Sequence, residues 1–319
     1  MSKTKKWAIA GFALVGAGLL ICLITLAVFG FYPSQLRTGT MVSNTYEVSE
    51  AFDSLRIDAD TEEIRFVPSA DGACSVVCYE EENAPHQVRV ENATLMIGGE
   101  KKPKVNFFLF TVTEHLTITV YLPQNSYRTL TVAADTGDTV IPQDFSFDSI
   151  SVSLSTGDVT CSASADGTVA IETDTGAINL SDCTAAAMAL TSDTGKISLS
   201  DVTLTENLQL TSNTGAVTLN RVLCQQLNGT SDTADLLLTD VLAEGEFRLV
   251  SDTGDITFNS CDAAAIYAKT DTGDIAGTLR GEKVFLTETD TGRINVPKTV
   301  TGGRCELITD TGDITIELT

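Results

Sequence analysis

The stretch Thr270-Asp271-Thr272-Gly273-Asp274-Ile275 decides the fold, because it recurs as Ser251-Asp252-Thr253-Gly254-Asp255-Ile256 and as Thr309-Asp310-Thr311-Gly312-Asp313-Ile314. The third position of the tripeptide falls at Gly137, Gly157, Gly176, Gly195, Gly215, Ala234, Gly254, Gly273, Gly292 and Gly312, at intervals of 19 or 20 residues. Threonine precedes it in all ten copies. Aspartate stands one residue earlier in eight copies (Asp135, Asp174, Asp193, Asp232, Asp252, Asp271, Asp290 and Asp310), with Ser155 and Asn213 as the exceptions. A fixed period of this length marks a stacked-repeat architecture.

Apolar residues flank the tripeptide at alternate positions, as in a strand with one buried face. Two residues after it come Val159, Ile178, Ile197, Val217, Leu236, Ile256, Ile275, Ile294 and Ile314. Seven before it come Leu130, Ile150, Val169, Met188, Leu208, Leu227, Phe247, Ile266, Phe285 and Cys305. The inward positions are odd before the glycine and even after it, so the tripeptide inserts one residue and turns a corner. Aspartate accepts a hydrogen bond from the backbone two residues on, and glycine takes a positive φ freely. On that basis Ala234 is expected to strain its corner by about 1 kcal/mol. Serine or threonine stands three before the glycine in eight copies, where stacked hydroxyls can bond along the axis.

One such unit cannot bury its apolar face alone, so copies must stack. The reading is an all-β fold: a parallel β-solenoid (β-helix) of about ten rungs, preceded by a transmembrane α-helix and an all-β N-terminal region. At about 4.8 Å per paired strand, ten rungs make a rod of about 50 Å. A chain of antiparallel hairpins with Thr-Gly tips is the rival, but hairpins gain nothing from identical tips. Strand-like runs at 54–59, 63–67, 75–79, 87–90, 94–97 and 115–122 lack the tripeptide. They form either a separate small sandwich or a cap of degenerate coils, and a cap protects an edge that otherwise recruits strands.

Charge and hydropathy set the compartment. The 319 residues carry 20 basic and 43 acidic side chains, a net −23, which repels phosphate backbones and excludes nucleic acid as a partner. Residues 7–32 form an uncharged run longer than the roughly 20 residues that cross a bilayer. Lys3, Lys5 and Lys6 precede it, so the positive-inside rule leaves 1–6 as a cytoplasmic basic tail and places 33–319 outside the plasma membrane. The organisation expected is tail 1–6, span 7–32, linker 33–45, N-terminal β region or solenoid cap 46–130, and repeat solenoid 131–319. Self-association is expected through Ala13 and Ala17 in the span or through the strand end near Thr319. Lys101, Lys102 and Lys104 beside Phe107, Phe108, Leu109 and Phe110 suit a strand entering the core, and also a membrane-docking patch.

Seven cysteines follow the span, and those in the repeat (Cys161, Cys183, Cys224, Cys261 and Cys305) occupy apolar positions as small hydrophobes. Cys74 and Cys78 alternate with Val76, and are placed either to pair or to bind a metal with His86. The corner aspartates crowd like charges along one edge. Water and salt screening is the simple account; bridging Ca²⁺ is the sharper one, with Asp252, Asp255, Asp271, Asp274, Asp310 and Asp313 as ligand candidates. No cofactor is otherwise expected. Asp-Thr-Gly also marks the catalytic turns of aspartic proteases, but those need two copies face to face.

The N-terminal β region followed by strands with a Ser/Thr-Asp-Thr-Gly-Asp-Ile/Val corner resembles the bacterial adhesin-like family of β-strand-repeat proteins, domain of unknown function 4097. The likeness spans about residues 46–319 and rests on segments such as 251–256, 270–275 and 309–314. It implies an envelope-associated bacterial protein without catalytic residues. The expected function is a noncatalytic, adhesin-like surface scaffold that binds another surface protein or an envelope polymer. An envelope-stress sensor working through a membrane partner is the alternative, and a carbohydrate-active β-helix enzyme stands behind both.

Overall fold

The computed structural model describes residues 40–99 and 116–319, together with Gly16, Gly18, Leu20 and Ile21. Those four positions are helical, but the rest of the expected span and the Lys101–Phe110 segment lie outside the described residues. Among the described residues no helix is long and apolar enough to cross a membrane.

The copy around Gly215 shows why each repeat folds as it does. Asn207–Ser212 and Val217–Cys224 are strands whose alternate residues Leu208, Leu210, Val217 and Leu219 are at most 1% exposed. Leu208 pairs with Met188 on one side and Leu227 on the other; Val217 lies between Ile197 and Leu236. Every pairing among the repeats is parallel and, apart from local register shifts such as those after Ala243 and Phe258, joins equivalent positions, so like side chains stack into ladders. Hairpins are thereby excluded. At the far edge of this strand pair the sequence hides a further bend. Asp182, Asp201, Arg221, Asp240 and Ser260, each six after the corner residue, take φ between 52° and 58°. Aspartate is among the few residues that visit this left-handed region readily. The bend turns Cys183, Val202, Val222, Val241 and Cys261 inward, all at most 2% exposed.

Rung order departs from chain order at both ends. Ser54–Ala59 pairs with both Thr94–Gly98 and Ser126–Thr136, and Glu63–Pro68 pairs with both Thr117–Leu122 and Thr139–Ile141. The first rung of the chain is therefore the second in the stack. At the other end Gly303–Thr311 lies between Ile256–Thr272 and Lys283–Thr291, and Ile314–Leu318 lies between Ile275–Leu279 and Ile294–Asn295. The strand end near Thr319 is thus inside the stack, not the open edge expected from the sequence; the open edge is Lys283–Thr291. Composition explains the exchange. Cys305, Leu307, Ile314 and Ile316 are at most 2% exposed, whereas the terminal rung offers Thr287 where its neighbours carry an aliphatic residue. Burying the more apolar rung on both faces removes more apolar surface from water.

The N-terminal end is finished by antiparallel strands. Cys74–Glu81 runs against Thr117–Leu122, Met41–Val48 against Cys74–Glu81, and Gln87–Glu91 against Thr94–Gly98. The first of these strands begins at Met41, inside the stretch read as linker. Reversing direction gives the stack a rim that no longer matches its own parallel rungs, which blunts the edge.

Candidate functional site

Three sets of chemical groups are repeated or concentrated: the corner glycines with their hydroxyls, the aspartates beside them, and a buried acid–imidazole cluster in the cap. The glycines are required by close approach. A Cβ on Gly273 would lie 2.3 Å from the Gly254 carbonyl oxygen, and one on Gly312 would lie 2.0 Å from that of Gly273. Gly254, Gly273 and Gly312 also take φ of 149°, 150° and 158°. Between them run amide bonds along the axis, Gly254 N to Thr272 O and Gly273 N to Thr311 O, both 3.0 Å. The hydroxyl three before each glycine completes the seam: Thr270 Oγ1 donates to Gly254 O and Thr309 Oγ1 to Gly273 O, both at 3.0 Å.

Ala234 does not strain its corner, because that corner is built differently. It has no positive φ, and its N–H donates 2.9 Å to Ser231 Oγ, closing a turn on its own rung. Gly195 and Gly215 do the same with Ser192 and Ser212. The three corners form one consecutive block, so the alanine sits where its neighbours share its geometry.

The aspartates divide into two columns with different roles. Those directly after the glycine point along the axis and accept amides: Asp235 Oδ1 from Asp255 N, Asp255 Oδ1 from Asp274 N, Asp274 Oδ1 from Asp313 N, and Asp313 Oδ1 from Arg293 N, at 2.7–2.9 Å. Each carboxylate thus satisfies a backbone donor on the next rung in the stack. Those two before the glycine (Asp135, Asp174, Asp193, Asp252, Asp290 and Asp310) are exposed, while Asp271 is half-buried beside Lys269 Nζ at 2.9 Å. Of the Ca²⁺ candidates, Asp255, Asp274 and Asp313 already have one oxygen committed to backbone, and Asp252 and Asp310 face solvent. Among the described residues, the trio of possible metal ligands whose atoms come within 4.8 Å of one another is Cys78, Glu80 and His86, none of it at the corners.

That trio belongs to a cluster read only in part from the sequence. His86 is buried, its Nδ1 2.5 Å from Glu80 Oε2 and its Nε2 3.5 Å from Glu62 Oε1. Glu80 also accepts from Asn44 Nδ2 at 2.6 Å, Tyr46 Oη at 2.7 Å and the His86 amide at 2.6 Å. Glu62 accepts the amides of Asp60 and Thr61 at 2.7 and 2.8 Å. Burial alone raises a carboxyl, but the His86 contact and the two amides outweigh it and hold Glu62 down at about 2. Glu80 is likewise lowered by its donors against burial, and the two carboxylates raise His86 despite its burial. The result is an imidazole ring clamped between two carboxylates that favour its protonated form, joining the antiparallel cap to the first rung. A cavity of about 530 Å³ beside it is lined by Asp58, Asp60, Glu62, Glu80, Glu81 and His86 among others.

Glu62 carries a lesson about the repeat. Asp60-Thr61-Glu62 is a corner with glutamate in the glycine column: a Cβ on Gly137 would meet Glu62 O at 2.2 Å, as a Cβ on Gly157 would meet Gly137 O. Leu55, Ile57, Ile64 and Phe66 occupy the same offsets as in the later copies and are at most 3% exposed. Letting the glycine vary while keeping those offsets reveals this rung in the sequence.

All seven described cysteines are buried and unpaired, Cys74 and Cys78 included. Burial pushes the thiols of Cys78, Cys161, Cys224 and Cys305 up to about 12, away from nucleophilic thiolate.

A family model described as Toastrack DUF4097 matches residues 52–317. The chain belongs to the Toastrack DUF4097 family. The Toastrack match opens at Phe52, just before the displaced first rung, and closes at Glu317 in the inserted last strand, so both exchanged rungs lie within it. No curated protein matches the chain. Among solved structures it is similar to a putative adhesin from Bacteroides fragilis NCTC 9343 (16% identity, TM-score 0.41, 88% of this chain and 97% of that one). It is also similar to a putative adhesin from Parabacteroides distasonis ATCC 8503 (10% identity, TM-score 0.43, 87% and 98%). A putative lipid binding protein from the same strain follows, at 15% identity, TM-score 0.32, and coverage of 88% and 98%.

Proposed function

We propose that this Toastrack protein is a noncatalytic binding scaffold, anchored in the bacterial plasma membrane by residues 7–32 and holding its β-solenoid outside the cell. The observation that carries the reading is uniformity. Corner-to-corner spacing stays at 19 or 20 residues throughout the repeats, which leaves no inserted loop to wall a cleft. The corner carboxylates that point along the axis serve backbone amides, and Glu62 and Glu80 are held ionised by their donors. A carboxylate so held is a poor general acid near neutral pH. What remains for recognition is the extended outer face, the surface that solenoids use for binding.

The test presents the full chain, in detergent micelles, to an array of bacterial envelope polysaccharides and glycans, with and without Ca²⁺. Saturable binding without turnover, weakened by Leu223→Asp and Leu237→Asp on the exposed strand faces, is the expected result. Cleavage of any arrayed polymer, binding indifferent to both substitutions, or no binding to any polymer refutes the scaffold. Alkaline extraction of membranes checks the anchor separately, since a spanning chain stays in the pellet.

A further inference from the structure

The end of the stack farthest from the cap combines three features, and of the two ends only there, among the described residues, is the one-sided strand part of the parallel stack, since the one-sided strands of the cap, Met41–Val48 and Gln87–Glu91, run antiparallel to their neighbours. Its strand, Lys283–Thr291, pairs among the described residues only with Gly303–Thr311, so one row of its backbone amides and carbonyls faces outward. Apolar side chains collect there: Leu286 is 47% exposed, Ile294 44% and Val300 90%, three of the five large exposed hydrophobics described beyond residue 40. Ile294 is the one member of its ladder left uncovered, because no rung follows it. Charge is also balanced. Residues 282–302 carry Glu282, Glu288 and Asp290 against Lys283, Arg293 and Lys298, a net of zero in a chain of −23.

We propose that this face is a homotypic contact, in which two copies join tip to tip by antiparallel pairing of Lys283–Thr291 about a two-fold axis at Thr287. A second copy is the occupant because the tip is where two such acidic chains meet without net repulsion. Two-fold symmetry requires the edge strands to run antiparallel, and the register follows from charge. Centred on Thr287, Glu288 faces Leu286 of the second copy and Asp290 faces its Val284, so no like charges oppose. Shifting the axis to Glu288 sets that carboxylate against itself, an unfavourable cross-strand pair. The chain enters the solenoid at Met41 in the opposite, capped end. Joined tips therefore put the two amino-terminal segments at far ends of a double-length rod. If the anchor proposed above holds, such a pair bridges two facing membranes; the pairing itself does not depend on the anchor.

The full chain is reconstituted at one copy per nanodisc and followed by light scattering and electron microscopy over a concentration series. Separate discs prevent any contact between spans, so paired discs report tip contact alone. A chain that fails to enter discs refutes the anchor reading and leaves the tip proposal to be measured by sedimentation in buffer. Wild type is expected to pair reversibly. Leu286→Glu, an exposed change that faces Glu288 of the second copy twice by symmetry, is expected to weaken pairing about tenfold. Adding Glu288→Lys to it restores pairing, because each new glutamate then faces a lysine. A chain that stays monomeric throughout the series, or a dimer unmoved by Leu286→Glu, overturns the proposal.

Discussion

Replacing Gly273 by alanine tests the corner directly, because the structure names what the methyl group would meet. Its Cβ would sit 2.3 Å from Gly254 O and 2.7 Å from Gly254 C, both backbone atoms. That is about 1 Å inside ordinary van der Waals contact, so the two rungs must part at this point. Parting them strains the bonds Gly254 N to Thr272 O and Thr270 Oγ1 to Gly254 O, each worth about 1 kcal/mol. Holding alanine at φ of 150° adds a further 1–3 kcal/mol or so. The expected destabilisation is about 3–5 kcal/mol, against at most about 1 kcal/mol for Ala234→Gly, where the corner has no positive φ. Repeat stacks open segment by segment, so native-state hydrogen exchange is the suitable assay. Amide protection over residues 256–311 is expected to fall roughly a hundredfold to a few thousandfold, with little change in the rungs before Gly176. Protection within tenfold of wild type for Gly273→Ala, or equal losses for the two variants, would refute the account of the glycine column.

The remaining predictions concern the aspartates, the cap and the last strand. Asp255→Ala, which leaves the Asp274 amide without its acceptor, is expected to lower stability by about 1–2 kcal/mol in urea denaturation, whereas Asp252→Ala at the exposed column stays within about 0.5 kcal/mol. Chelator is expected to leave the melting temperature unchanged, and a drop on chelation would restore Ca²⁺ as a structural ligand. For the cap, Glu62 and Glu80 are depressed, so their contribution is present above their ordinary pKa of 4.5 and is lost as pH falls, for Glu62 towards about 2. His86 is raised, so its contribution is full below 6.5 and is lost as pH rises through its folded value. Cap protection in hydrogen exchange should therefore peak between about pH 4.5 and 6.5, and His86→Gln should flatten the alkaline side. Ending the chain at residue 302 removes Cys305, Leu307, Ile314 and Ile316 from between two rungs, at a cost of about 6 kcal/mol or more. Loss of strand signal by circular dichroism well beyond the 17 deleted residues is the expected result, since the deletion empties the middle of the stack.

Legibility followed the strength of the repeat. Where ten copies share spacing, the strands, their inward residues and the hydroxyl seam were all readable, down to Thr270 and Thr309 bonding along the axis. The bend six residues past the corner was missed because its residues vary, from Asp182 and Asp201 to Arg221 and Ser260, and only the backbone is constant. The Glu62 corner is not legible from the tripeptide, because glutamate stands in the column that the repeat marks with glycine. The Glu62–His86–Glu80 cluster joins residues from a corner, a cap strand and a loop, and no linear spacing announces such a meeting. The exchange of the last two rungs was invisible for another reason. Their sequences fit either order, and the choice is made by which rung gains more from having both faces covered.

That exchange bears on what the molecule can do. A solenoid whose chain end is also its stack end can fray, slip by one rung or accept another strand at its last residues. Here the last rung of the chain, Gly303–Thr311 with Ile314–Leu318, is held from two sides, because the chain returns from beyond it. The terminal rung is tethered through Gly302 and Gly303 to the strand it covers, and Thr299 Oγ1 donates to Lys283 O while Lys283 Nζ reaches Asp262 Oδ1 at 2.5 Å. A lysine turned inward and a closed loop hold the outermost strand in place even though its outer edge is bare. An edge that is both firmly held and unpaired is pre-organised, so a partner strand arriving there would not have to order it first. The cap at the opposite end also finishes in strands paired on one side among the described residues, Met41–Val48 and Gln87–Glu91, but these run antiparallel to their neighbours, which makes the molecule polar: a bare edge of the parallel stack is offered at the tip alone.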